Sequence, residues 1–311
     1  MKRQLFRVNL VPLAALLIMG VIVTMFACQK TESNRSQPTS DLNTQFLNNT
    51  NFAVNDENLD DQDFEDAVAL DEDAPLDNFN GSGGGGCKTI TYDPSRDVYP
   101  HTKTIVYNNC TSECKGGTIN GTKVITVYVN PKLAKPGDLV KEIVYQNFTV
   151  DDVQITNDTK TYLASNDPLT WHVVRTRTYV IGGKDGITQT SSSDLMRELI
   201  AGGDTQDNSD DMYAVTGTTT GVENEHGGGL HGKYTSVIDE TDPATAGANC
   251  CWRTSGTETI NIEVREKGST TSLTEVLDYG DGTCDNQATL SINGGEAQAV
   301  TLPLYFWPLS Q

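Results

Sequence analysis

From Cys87 to Gln311 the chain is a succession of short runs rich in Thr, Val, Ile and Tyr, many alternating with polar residues and separated by Gly, Asn and Asp. Alternation with a period of two puts one set of side chains on each face of an extended strand, so this texture restricts the region to antiparallel β-structure. Candidate strands are Thr118 to Val129, Lys141 to Val150, Trp171 to Ile181, Met212 to Thr220, Thr257 to Val264 and Ala297 to Phe306. Asn120-Gly121, Gly182-Gly183, Asp185-Gly186, Asp281-Gly282 and Asn293-Gly294 supply positive φ at little steric cost, and several read as hairpin pairs. One stretch breaks the pattern. Ser193 followed by Asp194 to Ala201 and Gly202 reads as a capped surface helix inserted between strands. The expectation is therefore one all-β domain over 87–311, an antiparallel sheet or sandwich-like arrangement with a short helical insertion.

The N-terminus has a different character. MKRQLFR carries three positive charges and is followed by an apolar run from Val8 to Ala27 that ends directly before Cys28. That is the layout of a signal peptide, 1–27, and a cysteine at its end can take a thioether-linked diacylglycerol and become the new amino terminus. The expected mature protein is thus a lipoprotein acylated at Cys28 and held at the outer membrane by its lipid, facing either the periplasm or the cell surface. Residues 28–86 read as a disordered tether. Gln29 to Thr50 is poor in apolar residues, eleven carboxylates lie between Asp56 and Asp77 without a Lys or Arg, and Gly81 to Gly86 forms a hinge. Leu59, Phe64, Ala67, Val68 and Leu70 punctuate the acidic stretch at near-helical spacing, so a short amphipathic helix is expected there.

Loss of Lys2, Arg3 and Arg7 with the signal takes the formal charge from −20 to −23. Such a chain repels phosphate backbones, which excludes nucleic acid as a partner. Of the seven cysteines, the six beyond Cys28 are Cys87, Cys110, Cys114, Cys250, Cys251 and Cys284. An even number in an exported domain points to disulfides. The expected bridges are Cys87 to Cys110 or Cys114, and Cys284 to Cys251 or Cys250. Cys110-x-x-x-Cys114 also has metal-hook spacing, but the vicinal Cys250-Cys251 makes a poor second hook.

Chemistry-bearing motifs are few. Asp278, Asp281 and Asp285 surround a Gly-rich turn and are a candidate calcium loop, without EF-hand spacing. Asp207, Asp210 and Asp211 read as a solvated loop. Glu225-His226-Gly-Gly-Gly-Leu-His231 reads as a loop or hairpin, because its glycines preclude the helix that would align two imidazoles. His172 reads as a half-buried sheet residue. No Gly-x-Ser-x-Gly, Ser-x-x-Lys, Walker or dinucleotide motif occurs. Trp171, Trp252, Tyr305, Phe306 and Trp307 serve either a core or a sugar-binding face.

Leu277 to Leu302 (LDYGDGTCDNQATLSINGGEAQAVTL), with Cys251-Trp-Arg-Thr-Ser-Gly and Tyr213-Ala-Val-Thr-Gly-Thr, resembles a family of uncharacterised Bacteroidetes lipoproteins. The resemblance covers most of 87–311 and is most specific in DYGDGTCDN; Val106-Tyr-Asn-Asn-Cys110 departs from the family's Asp-Phe-Gly-rich version. It implies an exported all-β domain and brings no catalytic residue. The functional expectation is a binding or structural role at the cell envelope, with a glycan or an envelope protein as partner. The alternative is a polysaccharide hydrolase using carboxylates from distant strands.

Overall fold

A computed structural model describes residues 86–302, apart from 96–97, 112–116, 152, 182–186, 206–209, 226–229, 249 and 267. Cys28, the signal segment, the tether with its expected acidic helix, Cys114, Asp207, His226, Tyr305, Phe306 and Trp307 lie outside the described residues. The first seven strands are β1 (Lys88–Asp93), β2 (His101–Thr111), β3 (Thr118–Val127), β4 (Leu139–Val150), β5 (Val153–Ala164), β6 (Thr170–Ile181) and β7 (Ile187–Ala201). The second seven are β8 (Met212–Glu225), β9 (Leu230–Ile238), β10 (Ala244–Gly247), β11 (Arg253–Glu266), β12 (Ser269–Asp281), β13 (Gln287–Ile292) and β14 (Gln298–Thr301). A 3-10 turn at Pro131–Leu133 precedes β4.

All fourteen strands belong to one antiparallel sheet in which sequence neighbours pair, from β1 at one end to β14 at the other. The single departure is that β9 and β10 share one lane. β8 pairs with β10 over Met212 to Val215 and with β9 over Gly217 to Asn224, and β11 closes the same lane from the other side. The Asp239–Pro243 segment loops out between them, and Gly256 of β11 lies against it with φ +85.

Alternation sends one face of this sheet inward. Ile105, Ile125, Ile143, Tyr162, Trp171, Tyr213, Tyr234, Ile260 and Leu277 belong to one continuous buried cluster. No α-helix covers that face among the described residues. Register shifts bend the sheet around it: positive-φ residues mark them on four successive strands at Asn109, Gly121, Asn147 and Asn157. An extra residue in one strand bends it and raises its twist, so bulges on consecutive strands coil the sheet. Asn120-Gly121 is consequently a mid-strand irregularity rather than a hairpin. Asn293-Gly294 is a true turn between β13 and β14, with φ of 53° and 70° and Gly295 N donating to Ile292 O at 2.9 Å.

The expected helix at Asp194 to Ala201 is instead the second half of β7. Its apolar residues have helical spacing, and in the strand Leu195 lies buried while Met196 and Ile200 are left exposed, but flanking partners decide: β7 pairs with β6 over Ile187 to Glu198 and with β8 over Ile187 to Ala201. Ser193 caps nothing; it is buried and accepts a hydrogen bond from Thr219 Oγ1 at 3.2 Å. Two-sided pairing overrides local propensity here.

Two disulfides staple the ends. Cys87–Cys110 ties the start of β1 to the bulged end of β2, and Cys250–Cys284 ties the β10–β11 connection to the turn after β12. Cys251 is also disulfide-bonded.

Candidate functional site

The inward face is not a hydrocarbon core. On β2–β7 it carries Lys103, Lys123, Lys141, Lys160, Arg175, Arg177 and Arg197, each at most 4% exposed, with Asp158 the one buried carboxylate of those strands among the described residues. Buried carboxylates concentrate further along, as Glu223 on β8, Glu258 on β11 and Glu275 on β12. Several of these cations set their charged heads over aromatic rings. Arg197 lies 3.7 Å from the Tyr213 ring centroid, Lys141 4.1 Å from Tyr162 and Arg177 4.7 Å from Tyr179. Each of these seven cations is engaged.

Two guanidinium–carboxylate clusters anchor this interior. Arg175 donates through Nε and Nη2 to the two oxygens of Asp158 at 2.8 and 2.5 Å. Arg253 Nη1 donates to Glu258 Oε2 at 2.5 Å and to the Tyr279 hydroxyl at 3.3 Å, while Tyr279 and Ser236 donate to Glu258. Burial and the Glu258 charge push the Tyr279 hydroxyl well above its ordinary pKa, against a smaller opposing pull from Arg253. In each cluster the carboxylate is committed to a buried guanidinium, which suits a scaffold rather than a reacting group.

The outward face is rich in hydroxyls, with its charges exposed, as at Asp194, Glu198, Lys233, Glu263 and Arg265. Thr159, Thr176, Ser192, Thr220, Thr235, Asn261 and Thr274 lie directly across from one another in one register row through β5, β6, β7, β8, β9, β11 and β12. At the usual strand spacing the row spans on the order of 30 Å. Beside it runs a parallel row containing Thr161, Asp194, Thr218 and Thr259. His172, half-buried as expected, meets Asp194 there at 2.6 Å. Thr274 Oγ1 donates to Asn261 Oδ1 at 2.9 Å, and Thr178 and Thr190 hydroxyls approach to 3.4 Å. β-branched side chains hold their χ1 tightly on a strand, so these hydroxyls are ordered before any partner arrives.

No family model, curated protein or solved structure matches the chain.

The acidic candidates do not converge. Asp278 Oδ1 accepts from Gly280 N at 2.9 Å, Asp281 Oδ1 from Thr283 N at 3.1 Å and Asp285 Oδ1 from Gln287 N at 2.9 Å, so each folds its own turn. Bonds from Thr283 lower the Asp281 pKa. Among the described residues no group of three or more His, Cys, Asp or Glu could hold a metal ion. Asp210 accepts from Thr205 at 2.9 Å, whereas Asp211 is buried and accepts from the Tyr213 hydroxyl at 3.0 Å, so only part of that expected loop is solvated. Glu225 ends β8, and His231 is the second residue of β9, which pairs antiparallel with β8. Trp171 is buried beside Tyr213, their ring centroids 6.5 Å apart, and Trp252 is half-buried against the core.

Sequence reasoning missed the buried charges. Asn157 and Gly256, left-handed positions inside alternating strands, are the signals that could have exposed two of them.

Proposed function

We propose that this chain is an exported lipoprotein, acylated at Cys28 and held at the outer membrane, whose β-domain binds a neutral glycan of the cell envelope through the outward hydroxyl row. The observation that carries the reading is the outward register row of Thr159, Thr176, Ser192, Thr220, Thr235, Asn261 and Thr274, an uncharged line of hydroxyls and one amide across seven strands, while the seven cations of β2–β7 named above are turned inward. A neutral, preordered set of donors and acceptors matches a polyhydroxylated chain, and it offers no cationic track for a polyanion. Bridged cysteines are in keeping with an oxidising compartment. The resemblance to uncharacterised Bacteroidetes lipoproteins agrees with that location.

Two experiments test the two halves. Mass spectrometry of the membrane-bound protein should find a diacylglyceryl-modified peptide beginning at Cys28; an unmodified chain that retains Met1 would exclude the anchor. Co-sedimentation with insoluble envelope polysaccharide should lose about tenfold or more in affinity, some 1.4 kcal/mol, when Thr176 and Thr220 are both changed to Glu. Unchanged sedimentation of that variant, with native circular dichroism, would overturn the glycan surface.

A further inference from the structure

Glu275 stands apart from the other buried charges. It is 1% exposed, and its Oε2 has no hydrogen-bond partner. Directly across from it on the same face are Ile260 of β11 and Ile292 of β13, and the next inward residue along its own strand is Leu277. An ionised carboxylate in such surroundings lacks the donors it would have in water, whereas the neutral acid is tolerated.

The charged and titratable groups on the elements packed around it offer no relief. On β11 the inward Glu258 is committed to Arg253, Tyr279 and Ser236. On β9, across from Ile262, the inward residue is Tyr234, and Lys233 is spent on Glu263 at 2.8 Å on the outer side. On β12 itself the inward titratable neighbour is Tyr279, held protonated, and Asp278 is exposed. β13 and β14 contain no titratable residue at all, as QATLSI and QAVT. Burial is accordingly the cause that raises the Glu275 carboxyl to about 7.

Its position supplies the mechanical consequence. β13 holds to β12 through four residue pairs, and Glu275–Ile292 is the one at the end beside the β13–β14 turn. Ile292 is 45% exposed, so water lies one side chain away. Among the described residues the one strand beyond β13 is the four-residue β14. We propose that Glu275 is a proton-operated latch: as the neutral acid it lies packed under Ile260 and Ile292 and seats β13 and β14 on the sheet, and as the carboxylate it moves out past Ile292 and frees that end. The charge moves to water, the proton goes to solvent, and no other bond is made or broken.

Amide hydrogen exchange on the full mature chain at pH 6 and pH 8, corrected for intrinsic exchange, tests this. Protection of β13 and β14 amides in the wild type should fall about tenfold or more at the higher pH, while that of β5–β7 holds. Glu275→Gln, which keeps the shape without the titration, should hold β13 protected at both values. Should Gln disturb folding, as judged by circular dichroism, Glu275→Met serves the same purpose and should also give a pH-independent β13. An equal pH response in wild type and variant, no response in the wild type, or a loss spread evenly over β5–β7 would each overturn the latch.

Discussion

The Arg175 guanidinium clasps the Asp158 carboxylate at two points, with the two side chains 1% and 0% exposed. Asp158 is inside only because β5 is bulged. Val153 and Ile155 face inward, the register shifts between Thr156 and Thr159, and inward positions resume at Asp158, Lys160 and Tyr162. Asn157, at φ 50°, is the extra residue. Asp158→Ala leaves a buried guanidinium without its counter-charge and should cost about 3–5 kcal/mol in urea unfolding. Replacing both partners, as Asp158→Leu with Arg175→Met, should recover much of that loss. A double variant as unstable as the single one would mean that the cluster holds the bulge rather than only its own charges.

The second cluster depends on the same device. Arg253 is inward at one parity and Glu258 at the other, with Gly256 at the shift between Ser255 and Thr257. A methyl at Gly256 would lie 2.1 Å from the Pro243 carbonyl oxygen, on a residue at φ +85. Gly256→Ala should therefore cost both the left-handed strain, about 1–2 kcal/mol, and overpacking of about 1–3 kcal/mol. Gly280, also at positive φ, has no neighbour nearer than 3.9 Å, so Gly280→Ala should show backbone strain alone. Comparable urea midpoints for the two variants would contradict this assignment.

These bulges also mark the limit of what the sequence discloses. Strict alternation locates Trp171 to Ile181 and Thr257 to Val264 because β6 is regular and the bulge in β11 precedes its alternating run. It misplaces everything beyond an inserted residue, which reverses the faces. Nothing in the sequence marks Lys123 and Lys141 as buried, because Lys is seldom inside and their tyrosine partners on neighbouring strands leave no local spacing. At Asp194 to Ala201 a helical pattern was legible and misleading, since the partners on both sides lie outside the window. The outward row is invisible for a related reason: its seven residues come from seven strands and align only once register is known.

Glu275 gives stability a definite pH dependence. Its carboxyl is raised from 4.5 to about 7 in the folded protein, so between those values the folded state holds a proton that the unfolded chain has released. Stability from this group is greatest below pH 4.5, declines as pH rises through that window and is level above it, a loss of about 3 kcal/mol. The difference in unfolding free energy between wild type and Glu275→Gln should change by that order between pH 5 and pH 7.5. A constant difference would show that Glu275 is ionised throughout.

The Cys250–Cys284 bridge closes a loop of 34 residues between a buried and an exposed sulfur. Removing it as Cys250→Ser with Cys284→Ser should cost about 3–4 kcal/mol by loop-closure entropy. The loss should appear in unfolding midpoints measured without reductant, and a negligible change would mean that the turn after β12 is fixed by its own hydrogen bonds.

Calcium provides the sharpest test of the Asp278 to Asp285 segment. A hard cation needs several oxygens converging on one point, whereas Asp278, Asp281 and Asp285 each turn one oxygen back onto a backbone N–H two residues on. Binding would have to break those turns and draw together three exposed side chains, at an entropic cost no preformed cavity offsets. Adding millimolar calcium, or a chelator, should leave Tm unchanged, and changing all three aspartates to Asn should lower it only slightly, because Asn accepts the same turn hydrogen bond. A calcium-dependent rise in Tm that disappears in the triple variant would show that the turns rearrange into a cation site and would restore the reading suggested by the sequence.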